Sequence, residues 1–152
     1  MTVAVLIGLT TWALWPEPPR QREYLDATAC LLTDEKGIAA EPATSVWATM
    51  QELSAVSLVR VQYLPVNGPQ TAGNAVTYAT SLAIGRCGAI VATGEPQAAA
   101  VGQIAATYPA IRFITVGAGT TADNVEVVTE TTGEALRGTL KNHLDTLADA
   151  AT

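Results

Sequence analysis

The sequence predicts a three-layer α/β domain built around a five-stranded parallel sheet. Three observations support this fold class. Short apolar segments alternate with segments of helical length in which apolar residues recur at helical spacing. Parallel strands need crossover connections, and the segments between these strands are mostly long enough to form them. Right-handed crossovers leave few topologies, of which the flavodoxin-like strand order 2-1-3-4-5 is typical for five strands.

The predicted strands occupy residues 29–33, 57–64, 88–93, 111–116 and 124–129. The second strand alternates polar and apolar residues, which favours a position near the edge of the sheet. The predicted helices occupy residues 42–53, 71–84, 97–107 and 134–148. Residues 117–123 are too few for a helix, so we expect a turn or a loop there.

Composition and charge exclude several classes of function. The chain has 152 residues, of which 14% are charged and 49% apolar, and its net charge is −6. A domain of this composition folds, and an acidic domain without a basic stripe is a poor nucleic-acid binder. The single histidine, His143, lies in the last helix, where we expect a surface position. Without a second histidine or a Cys-x-x-C motif, we expect no metal site, no cofactor and no catalytic residues.

Ligands of such sheets bind beyond the carboxyl ends of the strands, where the winding direction reverses. This rule selects as ligand-binding candidates Thr33, Asp34, Thr93, Gly94, Glu95, Thr115 and Gly117. Asp34 and Glu35 resemble the acidic pair of a phosphoreceiver, but Thr93 and Thr129 occupy the positions where a receiver needs Asp and Lys. Two carboxylates without a basic side chain favour a neutral or cationic solute over an anionic nucleotide.

Cys30 begins the first predicted strand, and Cys87 immediately precedes the third. If these strands are neighbours, both sulfurs lie at the amino-terminal edge of the sheet. Parallel neighbours lie about 4.8 Å apart, within reach of a disulfide. Two reduced, buried thiols are the alternative, and export from the cytoplasm would favour the disulfide.

The first 22 residues differ from the rest. Residues 3–15 (VAVLIGLTTWALW) are uncharged and are followed by a Pro-rich spacer. As a helix they would rise roughly 20 Å, short of the ~30 Å hydrocarbon core. We interpret residues 1–22 as the remnant of a signal anchor plus spacer, and residues 23–152 as a single lobe. The alternative is an amphiphilic tail that packs on the domain, and Arg20 and Arg22 favour a cytoplasmic domain by the positive-inside rule.

Several segments resemble the basic membrane protein (BMP) family. They are residues 29–34 (ACLLTD), Gly37-Ile38, Trp47, Tyr63-Leu64, residues 86–94 (RCGAIVATG), Tyr108-Pro109, residues 111–113 and residues 134–138 (EALRG). They follow in order from about residue 28 to residue 140. The family comprises purine-nucleoside-binding lipoproteins that serve ABC transporters as solute receptors.

The resemblance implies the amino-terminal lobe of a type I periplasmic binding protein. Because residues 3–15 are apolar and end in Trp and Pro, we expect this lobe to be held at the membrane with its domain outside. The chain departs from the family in lacking the second lobe, the Phe-Asn pair after Gly-Ile and the aromatic residue that Glu95 replaces. We therefore expect a non-enzymatic solute-binding lobe that is degenerate for nucleosides, with an ABC permease or a second copy as its partner. The alternative is a membrane-anchored protein-interaction or homodimerisation module.

Overall fold

The computed structural model describes residues 20–152, which contain a five-stranded parallel sheet in the order β2-β1-β3-β4-β5. The strands are β1 (Thr28–Thr33), β2 (Arg60–Pro65), β3 (Ala89–Thr93), β4 (Arg112–Val116) and β5 (Val125–Val128). The predicted fold class and strand order are confirmed.

Four helices cover the two faces of the sheet and complete the three layers. They are α1 (Ala43–Ser57), α2 (Ala72–Ile84), α3 (Glu95–Ile104) and α4 (Glu134–Ala150), with short 3-10 turns at Gly37–Ala39 and Ala105–Thr107. Helices α2 and α3 pack with Cys30, Leu32 and Phe113 on one face. Helices α1 and α4 pack with Leu31, Val91 and other strand residues on the opposite face. Each central strand is therefore buried on both sides, as its continuous apolar sequence requires.

The largest boundary error lies between the first helix and the second strand. Helix α1 continues to Ser57, four residues beyond the predicted end, and β2 begins at Arg60. The helix ends where Leu58 adopts a left-handed conformation (φ +62°) and its N–H donates to the Ser54 carbonyl. Residues 57–64 alternate polar and apolar side chains and contain no glycine or proline that would mark a turn, so the sequence predicts an earlier start for this strand.

The crossover from β4 to β5 is a loop, as predicted, and one side chain holds it in place. The Asn124 amide nitrogen lies within 3.0 Å of the Ala105, Tyr108 and Ile111 carbonyl oxygens, to which it donates. The loop before β5 is thus attached to the end of α3 and to the segment that precedes β4.

Cys30 and Cys87 form a disulfide with a Cα–Cα distance of 5.9 Å. The predicted pairing is confirmed, but Cys30 is the third residue of β1 rather than its first. Cys87 reaches it because the chain turns just before β3, where Arg86 adopts a left-handed conformation (φ +67°). Both cysteines are buried in the core face that α2 and α3 cover.

The predicted anchor, residues 3–15, lies outside the described residues. Within residues 20–152, no helix has both the length and the apolar character needed to cross a bilayer.

Candidate functional site

The carboxyl end of the sheet brings Thr33 and Thr93 together, as predicted. They follow a paired stretch of β1 and β3 in which Leu32 lies opposite Ala92. Both threonines are buried, and both hydroxyl groups donate to main-chain carbonyls. Thr33 Oγ1 lies 2.9 Å from the Asp34 oxygen, and Thr93 Oγ1 lies 3.4 Å from the Leu32 oxygen. These hydroxyls are engaged within the chain and are not presented to a ligand.

Thr115 lies on the opposite face of the sheet from Thr33 and Thr93. Successive side chains of a strand alternate between faces, and Thr115 lies two residues from Phe113, on the side that α2 and α3 cover. Its hydroxyl oxygen is buried and has no hydrogen-bond partner among the described residues. A Cβ on Gly119 (φ +115°) would lie 2.5 Å from that oxygen, so the following loop closes directly over it. The structure therefore separates Thr115 from Thr33 and Thr93.

Asp34 shapes the turn after β1. One of its carboxylate oxygens accepts a 2.9 Å hydrogen bond from the Lys36 N–H. Its main-chain carbonyl accepts from the N–H of Gly37, which adopts a left-handed conformation (φ +61°). Glu95, at the start of α3, is exposed and faces solvent. Gly117 lies beyond β4, where its N–H continues the pairing by donating to the Val128 carbonyl.

A residue that the sequence did not single out, Gln97, occupies the space between β1 and α3. Its side chain is fully buried, and its amide nitrogen donates to the Thr33 carbonyl at 3.4 Å and to the Gln70 side-chain oxygen at 3.0 Å. A Cβ on Gly94 (φ +99°) would lie 2.4 Å from the Gln97 side-chain oxygen. Glycine is required at position 94 so that the Gln97 amide can fit beneath it. The sequence signal that could have identified Gln97 is a polar residue in the first turn of the helix that follows a central strand.

Three concavities of the described domain lie away from this edge. One, of about 750 Å³, lies at the amino-terminal end of the sheet beside β2. Two others, of about 560 and 210 Å³, adjoin the loop between β4 and β5. None of the three is lined by a predicted ligand-binding residue.

His143 lies at the surface, as expected from its place in the last helix, but it is partly covered. Only 18% of its side chain is exposed, and its ring nitrogen lies 2.9 Å from a Glu126 carboxylate oxygen on β5. The pair joins α4 to the edge strand and has no contact with the carboxyl end of β1 or β3.

Comparison with known proteins gives no match to a family model and none to a curated protein. Solved structures do match. A fragment described as a lipoprotein, from Peptoclostridium difficile 630, superposes with a TM-score of 0.60 at 13% identity, over 82% of this chain and 95% of that one.

Two longer proteins match over part of their length. A transcriptional activator of the comK gene from Bacillus halodurans gives a TM-score of 0.54 at 16% identity, over 66% of this chain and 33% of that one. The solute-binding protein of a 5-methylthioribose transporter from Thermotoga lettingae TMO, in complex with 5-methylthioribose, also matches. Its TM-score is 0.53 at 16% identity, over 67% of this chain and 31% of that one. The chain thus spans about a third of each. At these identities the likeness shows a shared fold, that of a periplasmic-binding-like lobe.

Proposed function

We propose that residues 23–152 form a non-enzymatic, extracytoplasmic solute-binding lobe that resembles the amino-terminal lobe of the BMP family and has lost tight nucleoside binding. The fold supports the first part of this proposal, as do the motifs spread from residue 28 to about residue 140. The Cys30–Cys87 disulfide supports an extracytoplasmic domain, because disulfides persist in oxidising compartments.

One observation carries the loss of nucleoside binding: the Gln97 side chain fills the crevice where the winding direction reverses. Ligands of open α/β sheets usually enter at that point. Here the Gln97 amide is hydrogen-bonded to the Thr33 carbonyl and to Gln70, and Gly94 packs against it. A purine in this position would have to displace a buried side chain whose amide nitrogen is hydrogen-bonded and whose oxygen has no partner among the described residues.

The remaining edge suits a small neutral or cationic solute. Asp34 and Glu95 place two carboxylates beside it, and an exposed carboxylate repels phosphate and carboxylate ligands. One similar structure is a solute-binding protein in complex with 5-methylthioribose. A single open lobe, however, covers much less of a ligand than the roughly 70–90% that closed sites bury.

Calorimetry of the full chain in non-ionic detergent with adenosine, guanosine and inosine tests the proposal. We expect dissociation constants no tighter than millimolar. A micromolar constant for a monomer would refute the loss of nucleoside binding, and Glu95→Ala should then alter it whereas Asp149→Ala, at the far end of α4, should not. Light scattering on the same sample establishes whether any binding belongs to a dimer that rebuilds a two-sided cleft.

The membrane location is tested separately. We expect carbonate-washed membranes to retain the full chain, because residues 3–15 are apolar and uncharged. A chain that begins at Arg22 should be found in the supernatant. Recovery of the full chain wholly in the soluble fraction would refute the anchor.

A further inference from the structure

The concavity at the amino-terminal end of the sheet concentrates positive charge in an otherwise acidic protein. Arg22, Arg60 and Arg86 line it, with Asp26 as its acidic residue, and we call it the basic groove. The whole chain has eight basic and 14 acidic side chains, so three of the eight meet in one groove.

Most hydrogen-bonding capacity of these arginines is unused. Arg60 pairs with Asp26 at 2.8 Å, where 51% and 93% of the two side chains are exposed. Arg22 donates to the Ala55 carbonyl at 3.2 Å. Arg86 has no ion pair with another described residue. Each guanidinium carries five N–H donors in a fork that matches phosphate, so at least two donors of each remain for an anion.

The groove has a rigid base. Gln62 lines it and directs its amide nitrogen at both disulfide sulfurs, 3.2 Å from Cys30 and 3.6 Å from Cys87. Arg86 precedes Cys87 in the chain, so the disulfide restrains the loop that carries this arginine. Trp47 also lines the groove and packs edge-on against Tyr63 with ring centroids 5.1 Å apart.

Exposed apolar residues include one that lines the basic groove and two that are adjacent in the chain to residues that line it. Val56 is 84% exposed and follows the groove residue Ala55, and Ile84 is 71% exposed and precedes the groove residue Gly85. Tyr24, itself a groove residue, is 47% exposed. Arginines interleaved with aromatic and aliphatic side chains are typical of surfaces that lie at a bilayer interface.

The chain enters the described domain at this same end. Arg20 and Arg22 are separated from the apolar residues 3–15 by the spacer Pro16-Glu17-Pro18-Pro19, which in an extended form reaches only about 12 Å. If residues 3–15 hold the protein at a membrane, the basic groove lies against its surface. We infer that the basic groove binds the phosphate groups of anionic phospholipids and so fixes the lobe with its amino-terminal end on the bilayer. This inference rests on the anchor in the proposed function.

The test uses the full chain with Trp12→Phe and Trp15→Phe, so that Trp47 is its single tryptophan. The chain is reconstituted in vesicles of phosphatidylcholine alone or of phosphatidylcholine with phosphatidylglycerol, each with a nitroxide quencher on a fraction of the headgroups. We expect stronger Trp47 quenching in the anionic vesicles, decreasing with added salt. Arg60→Gln with Arg86→Gln should lower the docked-to-undocked ratio about 25-fold, since each arginine near an anionic surface contributes roughly fivefold. Lys36→Gln with Lys141→Gln removes the same charge from outside the groove and should preserve the difference.

Other outcomes overturn the inference and identify the reason. Attachment to both vesicles with equal quenching would refute headgroup binding and leave the anchor intact. Failure to float with either vesicle would refute both. A saturable change in Trp47 emission with micromolar inorganic phosphate, in detergent, would make the groove a site for a soluble anion. Equal quenching together with a detergent-solubilised dimer that Arg60→Gln/Arg86→Gln dissociates would make it an interface between copies.

Discussion

The two ends of the sheet differ in charge, in shape and in how their side chains are used. The carboxyl end carries Asp34, Glu35, Glu95 and Glu130, and the hydroxyls of its buried threonines Thr33 and Thr93 donate within the chain. The amino end carries arginines with donors to spare and a groove of about 750 Å³ above a disulfide. The topology thus predicts a ligand crevice at the carboxyl end, where the Gln97 side chain is buried, whereas the open groove lies at the amino end.

The largest effect expected in this comparison concerns the disulfide at the amino end. Cys30 and Cys87 are separated by 57 positions in the sequence, and reducing their disulfide should lower the free energy of unfolding by about 4 kcal/mol in the chain-entropy model. Denaturant titration of the domain with and without reductant measures this. The Cys30→Ala/Cys87→Ala variant should be insensitive to reductant, and an equal loss in that variant on adding reductant would show that the reductant acts elsewhere.

At the carboxyl end the largest effect should come from Gly94→Ala. Position 94 combines φ +99° and ψ 149°, a conformation almost confined to glycine, with a contact that a Cβ would make with Gln97 at 2.4 Å. We expect a destabilisation of about 2–3 kcal/mol.

Two other glycines serve as controls for that substitution. Gly133 has a similar backbone (φ +90°) but nothing within 4 Å of its Cβ position, so Gly133→Ala should cost less. Gly102 lies inside α3 with open space around it, and Gly102→Ala should stabilise by about 0.5–1 kcal/mol. Equal losses at positions 94 and 133 would show that the Gln97 contact contributes nothing.

Buried hydroxyls should respond in opposite directions. Thr115 Oγ1 has no partner among the described residues, so Thr115→Val removes an unsatisfied group and should be neutral or stabilising by about 1 kcal/mol. Thr33→Val removes a hydrogen bond to the Asp34 carbonyl and should destabilise by about 1 kcal/mol. Thermal unfolding of both variants makes the comparison, and a loss at Thr115 would mean that water or a ligand satisfies its hydroxyl.

The smallest effect is expected for Asp26→Asn at the amino end. The Asp26–Arg60 pair is largely exposed, and such pairs contribute only about 0–1 kcal/mol to stability. Removing the carboxylate also raises the positive charge of the basic groove. We therefore expect unchanged unfolding together with stronger quenching of Trp47 in the anionic vesicles, and weaker quenching would contradict headgroup binding by the groove.

The strand order could be predicted from the sequence because the apolar segments and their spacing report burial on two faces. The closeness of Cys30 and Cys87 followed from the same reasoning, since it depends on which strands are neighbours, whereas the sequence left the disulfide and two reduced thiols as alternatives. The state of the carboxyl end did not follow. Whether Thr33 faces a ligand or a carbonyl depends on side-chain geometry within a few ångströms, and Gln97 reads in the sequence as an ordinary helix residue. Arg60 begins β2 and Arg86 precedes β3, but only the structure shows that they share a groove with Arg22.

Among residues 20–152 no strand pairs with the outer side of β2, and the last residue of β2 has a consequence for self-association. The Arg60 and Val66 N–H groups donate to carbonyls on the β1 side. Because the backbone N–H groups of a strand point alternately to its two sides, those of Val61 and Tyr63 point away from β1, and position 65 would do the same. Proline has no N–H, which leaves two outward amide donors for an incoming strand. Open sheet edges template aggregation, and proteins commonly blunt them with proline and charge. Pro65 therefore limits the capacity of this edge to recruit strands from other molecules.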